Sequence, residues 1–221
     1  MKDDKETDQR ILDAAEALFA RHGFAATSLR SITAAAGVNL AAVHYHFGSK
    51  DSLIEAVFSR RLRPVNRERL RLLDEAEKAG QPGPPSVETI LEAFLGPVLR
   101  MSGDPLQGGA VVMRLLGNAL SQPDERIRRM FLQQFAEIVR RFTTALKKAL
   151  PDHPPPEVFW RFLFTIGAMA HTLAWSHDMA SLSHGQCAAE DSTTTLRRLV
   201  GFIAAGMRAP LTVTPDRRET A

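Results

Sequence analysis

The chain has 221 residues, 44% apolar and 24% charged, with a formal net charge of +3; this is the composition of a globular protein of one or two domains and excludes a wholly disordered chain. A single cysteine, Cys187, excludes an intrachain disulfide and suits a reducing compartment. The charged start MKDDKETDQR does not resemble a signal peptide, and the longest apolar run, broken by Thr165, His171 and Thr172, is shorter than the ~20 residues of a membrane span, so a cytoplasmic protein with no membrane partner is expected.

Apolar residues recur at three- and four-residue spacing without alternating runs, which predicts an all-α chain. Ile11, Ala15, Leu18, Phe19 and His22 trace one face of a first helix, and Gly23 is its expected stop. Thr27 and Ser28 offer caps to a short helix at 29–35, which Gly37 breaks. Asn39 caps a third helix at 40–47, Gly48 ends it, and Ser49 caps a fourth carrying Leu53, Ile54, Val57, Phe58 and Leu62. Pro64 is expected to kink or split that helix. Residues 79–85, AGQPGPP, form a helix-free linker.

Beyond the linker, Val87 to Val98 reads as a fifth helix and Val111 to Leu120 as another. Pro123 opens one long helix with the stripe Ile127, Phe131, Phe135, Ile138, Phe142 and Leu146. The segment from Glu157 to about Met179 is apolar nearly all round, so it must be covered on more than one side. The last helix, about 191–209, carries a Gly/Ala face, and residues 211–221 form a loose tail.

Two short helices around a glycine turn, residues 29–47, make a helix-turn-helix candidate, with Ile32 and Val43 packing between them. The surrounding window 21–50 holds no Asp or Glu but does hold Arg21, Arg30 and Lys50. Such a window suits a polyanion. Small residues at the start of the third helix permit close approach to a groove, and the rings beyond can donate hydrogen bonds to phosphates. The six arginines between Arg60 and Arg71 read as a solvated face, with Arg60 and Arg61 the nearest to the reading helix.

The segment TSLRSITAAAGVNLAAVHYHFGSKDSL, residues 27–53, closely resembles the DNA-binding signature of the TetR (tetracycline-repressor) family, and ILDAAEALFARHGF at 11–24 extends the match. The resemblance implies a homodimeric transcription regulator. Its N-terminal three-helix unit at 8–60 would bind DNA through a helix-turn-helix at about 29–48, and a helical domain at 61–210 would bind effector and dimerise, about nine helices in all. The matching positions imply DNA contacts from Thr27, Ser28, Arg30, Asn39, Leu40, Ala41, His44, Tyr45, His46 and Lys50. Leu40 and His44 depart from the common pattern, and Leu40 with Ala41 suggests reading through thymine methyls and groove shape. Residues 29–60 are similar to the PsrA-type branch, whose members respond to long-chain fatty acids.

Phe94, Val98, Met101, Met113, Phe131, Phe135, Phe142, Phe162, Ile166 and Met169 suit a cavity for an apolar guest such as a fatty acid or acyl derivative, and Arg114 could pair its headgroup. His171, His177, Asp178, His184 and Cys187 lack the spacing of a helical metal pair, so no metal and no cofactor is expected. No phosphate loop, nucleophile elbow or HExxH zinc site occurs, and the chain does not read as an enzyme. A palindromic operator bound by a homodimer through the last two helices, with release by the effector, is the expected function; a ligand-independent or a metal- or redox-sensing DNA-binding protein is the alternative.

Overall fold

A computed structural model describes residues 2–102, 115, 117–119, 124–175, 178–187 and 191–211, and no strand occurs among them. The helices are α1 (Lys2–Ala26), α2 (Leu29–Ala36), α3 (Leu40–Phe47), α4 (Lys50–Ala79), α5 (Val87–Ser102), α6 (Glu125–Gln133), α7 (Ala136–Ala149), α8 (Pro155–Trp175), α9 (Met179–Leu182) and α10 (Ser192–Arg208). Leu115 and residues 117–119 are helical as well. The all-α expectation holds. The chain forms two compact units, one of residues 1–70 with 97–139 and the other of 71–96 with 140–221.

Gly23 interrupts the first helix as expected: at φ 77° and ψ 170° it leaves the helical path, and a short second helical piece runs on to Ala26 across the kink. Two local expectations need correcting. Pro64 does not split α4, which runs unbroken from Lys50 to Ala79. The ring lies on the exposed side, where water can take the carbonyl that loses its partner. The single helix expected from Pro123 is two, α6 and α7, parted at Gln134–Phe135. There the amides turn to three-residue partners, Gln134 N–H to Phe131 O and Phe135 N–H to Leu132 O. Side chains of α4 hold the break: Asn66 Nδ2 donates to Gln134 O at 2.9 Å, and Ser59 Oγ donates to Gln134 Oε1 at 3.3 Å.

The core of the first unit joins Ile11, Ala15, Phe19 and Phe24 of α1 to Ile32, Val43, Leu53, Val57 and Phe58. Ile32 and Val43, expected to pack the two short helices together, are both fully buried. Each large side chain so buried contributes on the order of 1.5–3 kcal/mol. The same core takes in Leu115, Ala119, Ile127 and Phe131, from well outside the first sixty residues. Phe58 meets Phe24 at 5.3 Å and Phe131 at 5.4 Å between ring centroids, in tilted and edge-on geometries that aromatic pairs favour. Between α1 and α4, Arg61 grips Glu16 through two bonds, Nε to Oε2 at 2.8 Å and Nη2 to Oε1 at 2.5 Å, and Arg60 binds Asp13. The bond to Glu16 holds the Arg61 guanidinium above its ordinary pKa.

In the second unit Phe94 packs on Phe142 and Phe162, with ring centroids 5.2 and 4.9 Å away. Acidic residues near the end of α4 are taken by Arg141, which bonds Asp74 and Glu77. Helices α8 and α10 pack together. Buried Arg161 of α8 donates Nη1 to the carbonyls of Gly206, Met207 and Ala209, and so satisfies the free C-terminal acceptors of α10. Among the described residues, no helix is long and apolar enough to cross a membrane.

Candidate nucleic-acid interface

The presented element is α3, and its position is set by caps and by one turn. Ser28 N-caps α2: its Oγ accepts from Ser31 N–H at 3.0 Å while Ser31 Oγ accepts from Ser28 N–H at 3.1 Å. Thr27 is turned inward instead. Its hydroxyl donates to Gly23 O at 2.8 Å and only 3% of the residue is exposed, so it fixes the entry to α2 rather than presenting a side chain. Gly37 then takes the left-handed conformation, φ 64° and ψ 38°, with its N–H on Ala34 O and Thr33 O. From α1, Arg10 Nη2 donates to Ala36 O at 2.6 Å and to Gly37 O at 3.0 Å, so a guanidinium clamps the turn. Sequence reasoning missed Arg10, because nothing local to residue 10 points to residue 37.

Asn39 N-caps α3, its Oδ1 accepting from Ala42 N–H at 2.8 Å. One face of α3 turns Val43 into the core, with Ala42 and Phe47 packed against it. The other face is open: Leu40 is 40% exposed, Tyr45 is 79% exposed, and Ala41 and His44 are exposed beside them. Tyr45 stands edge-on to His46, with centroids 5.1 Å apart. His44 Nδ1 lies 2.9 Å from Gly48 O. A carbonyl only accepts, so Nδ1 carries the proton and Nε2 is the ring atom left for a ligand. Arg30 of α2 is exposed as well.

Gly48, at φ 74°, ends α3, and Ser49 caps α4 through Ser52 N–H at 3.1 Å. Lys50 opens α4 half-buried. Burial pulls its ammonium below the ordinary lysine value; Asp51 opposes that shift and Arg126 adds to it. Asp51 is bonded at 2.7 Å by Arg126, a residue of α6. Of the ten positions proposed from sequence, Ser28, Arg30, Asn39, Leu40, Ala41, His44 and Tyr45 are exposed, His46 and Lys50 are half-buried, and Thr27 is turned into the protein. Arg60 and Arg61, the arginines nearest the reading helix in sequence, are occupied by Asp13 and Glu16.

The residues set aside for an apolar effector divide between the units. Val98, Met101 and Phe131 are buried in the first, where Phe135 is half-buried. Phe94, Phe142 and Phe162 are buried in the second, where Ile166 and Met169 are half-buried. Met113 and Arg114 lie outside the described residues, as does His177. Among the described residues no three or more His, Cys, Asp or Glu side chains gather where they could hold a metal ion.

A glycine-turned helix pair with an acid-free, outward second helix defines a helix-turn-helix protein of the DNA-binding class. Comparison with known proteins narrows this. Residues 11–57 match the model for bacterial regulatory proteins of the tetR family, and residues 92–206 match the tetracyclin repressor-like C-terminal domain. The chain belongs to the TetR family of transcription regulators, which are not enzymes. It is 38% identical to the HTH-type transcriptional regulator AcrR of Shigella flexneri over 78 residues, 35% of each protein. It is 51% identical to the HTH-type transcriptional repressor Rv3405c of Mycobacterium tuberculosis over 53 residues, 24% of this chain and 28% of that one. The matched part thus spans about a third of these curated relatives. The fold is shared with the transcriptional regulator FadR of Bacillus subtilis, solved in complex with stearoyl-CoA, at a TM-score of 0.62 and 13% identity over 90% of this chain and 98% of that one.

Proposed function

We propose that the protein is a repressor that binds a palindromic operator as a homodimer and is released by a small apolar effector, a fatty acid or acyl derivative. Residues 8–60 are the DNA-binding part, residues 61–210 the effector-binding and dimerising part, and 211–221 a tail. The protein works in the cytoplasm. The observation that carries this reading is the open, acid-free face of α3, with Leu40, Ala41, His44 and Tyr45 presented together.

One such helix reads only a few base pairs, and two placed ~34–36 Å apart meet the major groove on successive turns. A surface for pairing is available. Helix α8 exposes Phe159, Trp160, Leu163 and Phe164, and α10 exposes Phe202, which is 74% accessible. Exposed aromatic groups at this density mark a contact surface rather than a solvated one. The acyl class of effector is supported by the phenylalanine cluster of Phe94, Phe142 and Phe162 and by the fold shared with a regulator solved with stearoyl-CoA.

Release requires that the effector bind the DNA-free state better; a coupling of ~1–3 kcal/mol changes operator affinity roughly 5- to 150-fold. The test uses a duplex selected by the protein from a random pool. Binding is measured alone and with stearoyl-CoA, palmitate or oleate at saturation. A selected twofold-symmetric site and at least a fivefold loss of affinity with one lipid are expected. An asymmetric site, or affinity unchanged by every lipid, contradicts the corresponding half of the proposal.

A further inference from the structure

A groove of about 500 Å³ lies between α1 and α4 within the first unit. Leu12 of α1 lines one side, and Ser52, Glu55, Arg60, Arg63 and Arg67 of α4 line the other. The three arginines stand three and four residues apart, so they share one strip of the helix. Arg63 and Arg67 are exposed, and among the described residues neither makes a hydrogen bond or an ion pair. No acid stands three or four residues from either one: those positions hold Ser59, Arg60, Pro64, Asn66, Leu70 and Arg71. Like charges at this spacing repel along the helix, and nothing on α4 relieves them here. Arg60 is answered by Asp13 through Nη2, but its Nη1 is buried with no hydrogen-bond partner. Glu55 lines the opposite end, about 12 Å of helix away from Arg63. Three arginines thus face two carboxylates, and the excess positive charge lies at Arg63 and Arg67.

We propose that the Arg63–Arg67 end of this groove binds a diphosphate group, free or carried by a nucleoside, with Arg60 as the third cation. Side chains one helical turn apart start about 5–6 Å from each other, so two guanidinium forks can take adjacent phosphoryl groups, one each. A diphosphate cancels the excess charge and removes the repulsion between the arginines. A single phosphate or carboxylate has too few oxygens to engage both forks bidentately. The volume of the groove leaves room for a nucleoside beside the diphosphate.

The test is calorimetric titration of the full-length protein at low salt with inorganic pyrophosphate, ADP and orthophosphate. Arg63→Gln and Arg67→Gln are titrated in the same way, with Arg129→Gln, an exposed arginine of α6, as the control for general charge. Melting temperatures recorded beforehand confirm that the variants fold. Pyrophosphate is expected to bind once per chain and roughly tenfold or more tighter than orthophosphate, as two charge-assisted forks should exceed one. Arg63→Gln and Arg67→Gln are each expected to remove that advantage, and Arg129→Gln to keep it. ADP binding as tightly as pyrophosphate places the diphosphate on a nucleoside; pyrophosphate binding alone makes the ligand free diphosphate. Absence of binding by both, or orthophosphate equal to pyrophosphate, overturns the proposal. So does an equal loss in Arg129→Gln, which would reduce the effect to net charge. A flattened salt dependence of duplex binding in Arg63→Gln would place this arginine on the DNA backbone instead, and also overturns it.

Discussion

Gly37→Ala is the substitution that most sharply tests how the reading head is held. Gly37 sits at φ 64°, where an alanine costs about 1–2 kcal/mol. Loss of the glycine's freedom in the unfolded chain returns about 0.5 kcal/mol. A methyl group at this position would lie 2.9 Å from Arg10 Nη2, so the guanidinium must withdraw from Ala36 O and Gly37 O. Giving up these largely exposed bonds costs about 1 kcal/mol more. The sum is about 2 kcal/mol of unfolding free energy, and operator affinity should fall with it as α3 loses its rest position. Urea unfolding followed by circular dichroism measures the cost in four proteins: unaltered, Gly37→Ala, Arg10→Ala and the double variant. With Arg10 already removed, Gly37→Ala should cost only the backbone term, so the pair should be coupled by about 1 kcal/mol. Strict additivity, or a cost below about 0.5 kcal/mol for Gly37→Ala alone, would refute the clamp on the turn.

Two further outcomes concern the frame around that head. Glu16→Ala leaves the Arg61 guanidinium, 25% exposed, without the carboxylate it grips, and should destabilise the first unit by about 2 kcal/mol by the same urea assay; a cost below about 0.5 kcal/mol would show that water replaces Glu16 freely. In the second unit, hydrogen bonding to Arg208 holds the Glu88 carboxyl below its ordinary value. A depressed carboxylate contributes stability above its unfolded pKa and loses it as pH falls through the folded one. Unaltered protein should therefore exceed Glu88→Gln in stability at pH 7 by at most about 1 kcal/mol, as suits a half-exposed pair, and the two should converge as pH drops below the ordinary carboxylate range. A gap that persists undiminished at pH 3 would contradict that assignment.

The parts of the molecule legible from sequence are those whose cause is local. Ser28, Gly37, Asn39 and Gly48 act within four residues of themselves, so cap and turn chemistry is readable directly, and the alternation of buried Val43 with open His44 and Tyr45 follows from helical spacing. What escaped reading has distant causes. The stripe from Ile127 to Leu146 continues in phase across Gln134, and the break there comes from Ser59 and Asn66 of another helix. Phe131 looks like the lining of an effector cavity by composition, but its ring packs on Phe58 in the core beneath the reading head. The same core holds Ile127 and so brings Arg126 to Asp51, a pairing across 75 residues of chain. Thr27 carries a hydroxyl suited to a phosphate, and only the position of Gly23 O shows that the bond is made inward.

Hydroxyl-radical footprinting on the selected duplex, with the protein's mass in the complex determined in parallel, bears most directly on whether α3 is the reading element of a symmetric pair. Two copies bound to one duplex, protecting two patches a helical turn apart on one face, with both patches lost in Tyr45→Ala, are the predicted result. A single patch beneath one copy, or protection that survives Tyr45→Ala with undiminished affinity, would contradict the account.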